Sequence, residues 1–102
     1  MPYDPTLDKN LIVKLSFDFA LNIISFSETL VRMQKYSIAK QIIRSGTSIG
    51  ANIREAQNAE SRNDFIQKMK MSAKEADETE YWLLLCQSSL EYPDCDRLLK
   101  KI

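Results

Sequence analysis

Proline is absent from the entire interval between Pro5 and Pro93, and that gap constrains the fold more than any other feature of the chain. Proline breaks helix interiors and punctuates the turns of loop-rich and many-stranded folds. A proline-free run covering most of the 102 residues therefore predicts long helices and an all-α fold. Glycine, the other common punctuation, occurs only at Gly46 and Gly50. The length suits a single domain, 1–102, whose core is small enough for a partner subunit to complete.

Hydrophobic spacing places the helices. Leu11, Leu15, Phe19, Ile23, Phe26, Leu30 and Met33 recur every three or four residues and predict a first helix from about Asp8 to Gln34. Phe17, Ile24 and Val31 form a second apolar row on another face, which a helix buried on one side does not need. That row is a first sign of self-association. Ser37 is the expected N-cap of a second helix running to about Ala59, with Ile38, Ile42, Ser45, Ile49, Ile53 and Ala56 as its stripe. Ser61 followed by Asp64 reads as a shortened capping box before a third helix that reaches about Ser88. Its apolar line is Phe65, Met69, Ala73, Ala76, Leu83 and Leu90, flanked by Ile66, Trp82 and Leu85. Pro93 suits the first turn of a fourth helix of barely three turns, with Leu98, Leu99 and Ile102 facing the core. Four helices with short connections make an antiparallel up-and-down four-helix bundle with a short fourth helix.

Composition narrows the chemistry. The chain has no histidine, which removes the commonest metal ligand and the usual partner of a serine or cysteine nucleophile. Cys86 and Cys95 lack zinc-ligand spacing and read as free thiols in a reducing compartment. No catalytic constellation, cofactor motif or metal site is evident. The opening MPYDPTLDKN lacks the features of a secretory signal, and no apolar run approaches the roughly 18 residues of a membrane span, so a cytoplasmic protein is expected. Net charge is zero, yet residues 32–74 carry nine Lys and Arg against Glu55, Glu60 and Asp64, whereas EADETE at 75–80 carries four acids. A basic middle can meet phosphate even in a neutral chain.

The glycines lie in RSGTSIGANIREA, residues 44–56, inside a predicted helix. Each costs roughly 1 kcal/mol of helix propensity. Ser45, Gly46, Ser48, Gly50 and Ala51 are all small, so the offsetting gain is expected to be a close approach of another helix or subunit. A phosphate-binding loop is excluded because no strand precedes the stretch and no G-K-[ST] follows.

The run IIRSGTSIGANIREAQNAESRNDFIQKMKMSAKEADETEYWLLLC resembles the small bacterial four-helix-bundle proteins known as S23 ribosomal proteins or 23S rRNA intervening-sequence proteins. Their pattern is roughly R-S/A-x-x-S-I-x-x-N-I-x-E-A, and Arg44, Ser45, Ser48, Ile49, Asn52, Ile53, Glu55 and Ala56 fill its positions; the resemblance covers about residues 11–92. It implies a closed homopentameric ring of antiparallel bundles without enzymatic activity. Relatives accompany the reverse transcriptase of diversity-generating retroelements and bind it, and nucleic acid, through a basic surface. This chain departs from those relatives in its neutral charge and in its shorter fourth helix, which leaves the bundle open at one end or the chain truncated.

These readings yield two residue sets. Arg44, Ser45, Gly46, Ser48, Ile49, Gly50, Asn52, Ile53 and Glu55 are expected at a helix or subunit contact, with Arg44, Asn52 and Glu55 setting register. Lys35, Lys40, Arg54, Arg62, Lys68, Lys70 and Lys74 form a candidate surface for RNA or DNA, although such charges are more often a solvated helix face. EADETE is read as an inter-subunit partner for the basic segment, and Met33, Met69 and Met71 as core filler. The expected partners are further copies of the chain, then nucleic acid or a reverse transcriptase. The competing reading is a structural scaffold that binds another protein through an apolar groove and makes no nucleic-acid contact.

Overall fold

Four helices organise the computed structural model, which describes residues 10–102: α1 (Leu11–Arg32), α2 (Tyr36–Ala56), α3 (Arg62–Ser88) and the short α4 (Asp96–Lys101). No strand occurs among the described residues. The expected helix start at Asp8 lies outside them. Asn10 caps α1 by accepting a hydrogen bond from the backbone of Ile12, and its amide donates to Gln57 Oε1 at 2.8 Å, tying the start of α1 to the end of α2.

Ser37 does not cap the second helix. Gln34 adopts a left-handed backbone, φ 64°, and Lys35 N donates to Leu30 O at 2.8 Å, so the turn passes directly into a helix that begins at Tyr36. The other end of α2 stops at Ala56, because Gln57, Asn58 and Ala59 each bond three residues back and tighten the last turn. The capping box at α3 is present. Ser61 Oγ accepts from Asp64 N at 3.1 Å, and Asp64 Oδ2 accepts from Glu60 N at 3.3 Å.

Pro93 precedes α4 instead of opening it. The Gln87 side chain holds the connection: it donates to Asp94 Oδ1 at 2.7 Å and accepts from Cys95 N at 2.8 Å. The helix therefore begins only at Asp96, and six residues remain in place of the expected three turns.

Helix α2 packs on both α1 and α3, and α4 bridges those two. Residues 72 and 79 of α3 bond to residues 49 and 45 of α2, so numbers rise along one helix as they fall along the other. Ile23, Leu30, Ile42 and Leu83 are fully buried at the centre, each stabilising the fold by about 1.5–3 kcal/mol. Leu98 is buried, with Leu99 and Ile102 packed beside it.

Several expected core residues lie outside. Leu11 and Leu15 at the start of α1 are exposed, and so is Met33. On α3, Phe65 and Ala73 are exposed and Leu90 is 92% exposed, whereas the hydroxyl residues Ser72 and Thr79 take buried places. Of the three methionines, only Met69 packs against the core; Met71, like Met33, faces solvent.

Candidate functional site

The small residues of RSGTSIGANIREA face two different helices. Gly46 is buried against α1, and a Cβ there would stand 2.8 Å from both Cγ1 and Cγ2 of Ile23. A Cβ on Gly50 would stand 3.3 Å from the carbonyl oxygen of Ser16. The first position has no room for a methyl group and the second has barely enough. Ser45 turns the other way. Its hydroxyl donates to Gln41 O at 2.9 Å and lies 2.9 Å from Thr79 Oγ1 of α3, which also reaches Glu75 O at 2.7 Å. Thr79 has one proton and two acceptors in range, so its donation across the interface competes with donation along its own helix. Ser72 Oγ donates to Ile49 O at 2.9 Å, a second hydroxyl link between α2 and α3. Ile49 and Ile53 are buried beside these contacts.

Arg44, Asn52 and Glu55 do not form one network. Arg44 reaches across to α3, with Nη1 3.4 Å from Glu75 Oε2 and Nη2 paired with Glu78. Glu78 also accepts from Trp82 Nε1 at 3.1 Å. Asn52, buried, donates back to Ser48 O at 2.9 Å, and Ser48 Oγ donates to Arg44 O at 2.7 Å. Glu55 pairs with Lys68 at 3.5 Å. Two acids of the EADETE segment, Glu75 and Glu78, are thus engaged by Arg44 inside the same chain, while Asp77 and Glu80 lie exposed.

The basic residues fall in separate places. Lys35 sits 4.8 Å above the Tyr92 ring, linking the α1–α2 turn to the α3–α4 connection. Lys40 and Arg54 line the crevice between α1 and α2. Arg62 opens α3, and Lys70 and Lys74 lie exposed one turn apart along it. No continuous stripe joins all seven.

The outer crevice of α1 and α2 holds the second apolar row. Towards one end, Phe17, Ala20, Thr47, Gly50 and Ala51 line a hollow of about 240 Å³. Towards the other, Ile24, Val31, Tyr36, Ala39 and Ile43 line a recess of about 590 Å³ rimmed by Glu28, Arg32 and Lys40. Ser27 also lines the recess. It is 6% exposed, and its hydroxyl has no hydrogen-bond partner. Spacing identified the row but not Ser27, which lies between Ile24 and Val31 on α1, nor Tyr36 and Ile43, which the α1–α2 turn brings beside it.

A second apolar outer surface lies on α3, where Tyr81, Leu84 and Leu85 are exposed next to Asp77 and Glu80. Tyr81 meets Trp82 edge-on, with centroids 5.3 Å apart. A third opening, of about 290 Å³, lies past the end of α4 and is lined by Ile12, Leu15, Ile49, Ile53, Met69 and Ile102.

The thiols are free and buried. Burial pushes the Cys86 thiol up to about 11, with Cys95 adding to the effect, and burial likewise pushes Cys95 up to about 11, helped by Asp94 and Asp96. Such thiols are poor nucleophiles at neutral pH. Among the described residues, no three His, Cys, Asp or Glu side chains gather to hold a metal, and no helix is long and apolar enough to cross a membrane.

Against this geometry stand the known proteins. A family model described as 23S rRNA-intervening sequence protein matches residues 8–100. A crystal structure of a protein with unknown function from the S23 ribosomal protein family of Bacteroides thetaiotaomicron VPI-5482 is 47% identical, with a TM-score of 0.80, over 88% of this chain and 83% of that one. No curated protein matches the chain.

Proposed function

We propose that this chain, which belongs to the 23S rRNA-intervening sequence protein family, is a non-enzymatic cytoplasmic interaction module built as an antiparallel up-and-down bundle and assembled into a homo-oligomeric ring. One observation carries the reading. The protomer leaves large apolar side chains exposed on two separate faces, Ile24, Val31 and Tyr36 on one and Tyr81, Leu84 and Leu85 on the other. Contiguous exposed apolar surface of this kind marks a contact site. The resemblance to pentameric relatives favours five copies. A ring multiplies the exposed Lys70 and Lys74 pairs and gives nucleic acid, or an enzyme that works on it, a repeated basic surface.

Sedimentation at micromolar concentration tests the assembly: a multimer is expected, and a monomer overturns the reading. A titration with RNA and DNA against salt tests the partner, with affinity falling steeply as salt rises. An oligomer without affinity at low ionic strength favours the alternative, a scaffold for another protein. The opening past α4, lined by Ile12, Leu15 and Met69, supports that second reading.

A further inference from the structure

The two exposed faces differ in shape and charge, which bears on how copies meet. The α1–α2 recess is concave, about 590 Å³, with an apolar lining and a rim of two cations, Arg32 and Lys40, against one acid, Glu28. The outer row of α3 carries the opposite balance, Asp77 and Glu80 with Lys74, around Tyr81, Leu84 and Leu85. Tyr81 is 57% exposed, its ring open to a partner.

We infer that the recess is the socket for the α3 row of a second copy, with the Tyr81 ring seated among Ile24, Val31 and Ile43. The inference rests on the oligomeric reading above and names its two faces. Arg32 and Lys40 then face Asp77 and Glu80, and Glu28 faces Lys74. Tyrosine is among the residues that most often anchor interfaces, since its ring buries area while its hydroxyl stays bonded. Because socket and plug are unlike surfaces on separate faces of one copy, the inferred contact is head-to-tail. Such contacts leave one socket and one plug free at the ends of any open chain and close only as a ring.

Head-to-tail pairing makes a specific demand of mixtures. Ile24→Asp damages the socket and keeps the plug; Tyr81→Ala damages the plug and keeps the socket. Each variant alone is expected to sediment as a monomer at 10 μM concentration, on the order of a hundredfold weaker than wild type, with unchanged helical circular dichroism because both positions are exposed. Mixed one to one, they retain one intact contact and form a heterodimer that cannot grow. If Ile24→Asp fails to fold, Lys40→Glu on the exposed rim replaces it in the same mixing test. A multimeric wild type whose two variants stay multimeric, or whose monomeric variants fail to pair when mixed, overturns the socket and leaves the oligomer standing. A monomeric wild type overturns both.

Discussion

Helix α2 meets its two long neighbours by different means. Against α1 it presents bare backbone at Gly46 and Gly50, and Ile23 fills the space a side chain would need. Against α3 it presents side chains and carbonyls, with Ser45 beside Thr79, Ile49 accepting from Ser72, and Arg44 clasping Glu75 and Glu78 at the edge. The first contact is specified by shape, through steep repulsion at short range. The second is specified by hydrogen bonds, which are directional and fail when a partner is lost. Two glycines can therefore stay in a helix at a cost of about 1 kcal/mol each, because one of them sets how closely α1 can lie.

The contrast breaks most visibly at Gly46. Gly46→Val is expected to destabilise by about 3 kcal/mol in chemical denaturation, since its new atoms overlap Ile23. Ile23→Ala in the same chain should recover part of that loss, an outcome only a shape-specified contact produces. Thr79→Val removes the α3 hydroxyl and is expected to cost about 1–2 kcal/mol. Ser45→Ala added to it should cost less than its effect alone, since the two hydroxyls lie 2.9 Å apart. Full additivity would show that each hydroxyl serves only its own helix.

The α3–α4 contact extends the comparison to pH. Both thiols hold their protons to about 11 in the folded chain, against 9.0 for an ordinary thiol. Between pH 9 and 11 the unfolded chain releases protons that the folded chain keeps, so stability falls as pH rises through that window, by at most about 1.4 kcal/mol per pH unit for each thiol. Urea midpoints should drop there in wild type and drop less in Cys86→Ala. The smallest effect is at Gly50→Ala, within about 0.5 kcal/mol of zero, where gained helix propensity offsets a 3.3 Å approach to the Ser16 carbonyl. A large loss there would place Gly50 with Gly46.

Much of the architecture was legible because periodicity reports faces. Phe19, Ile23, Phe26 and Leu30 on α1 and Ile42, Ile49 and Ile53 on α2 are buried as their spacing required. Periodicity does not report what covers a face. Leu11 and Leu15 share the stripe of Ile23 yet are exposed; Leu15 lines an opening that Lys101 and Ile102 border, and Gln87 holds Asp94 and Cys95 out of α4. Ser72 and Thr79 entered the core of α3 for a related reason: they face hydroxyl and carbonyl partners on α2, which a count of apolar residues overlooks. The small-residue ridge was readable as a close contact. Its division between two helices was not, because Ser45 and Gly46 are adjacent in sequence and point apart.

Both helix-to-helix reversals near Lys35 and Tyr92 pass through left-handed backbone at non-glycine residues, Gln34 with φ 64° and Glu91 with φ 69°. Each carries about 1–2 kcal/mol of strain. The chain has used its glycines where helices touch and none where it turns, the reverse of their common placement. Protein engineering therefore has its simplest opening at these corners: Gln34→Asn and Glu91→Asn, which accept the left-handed region more readily, should raise the melting temperature while leaving every packed surface untouched.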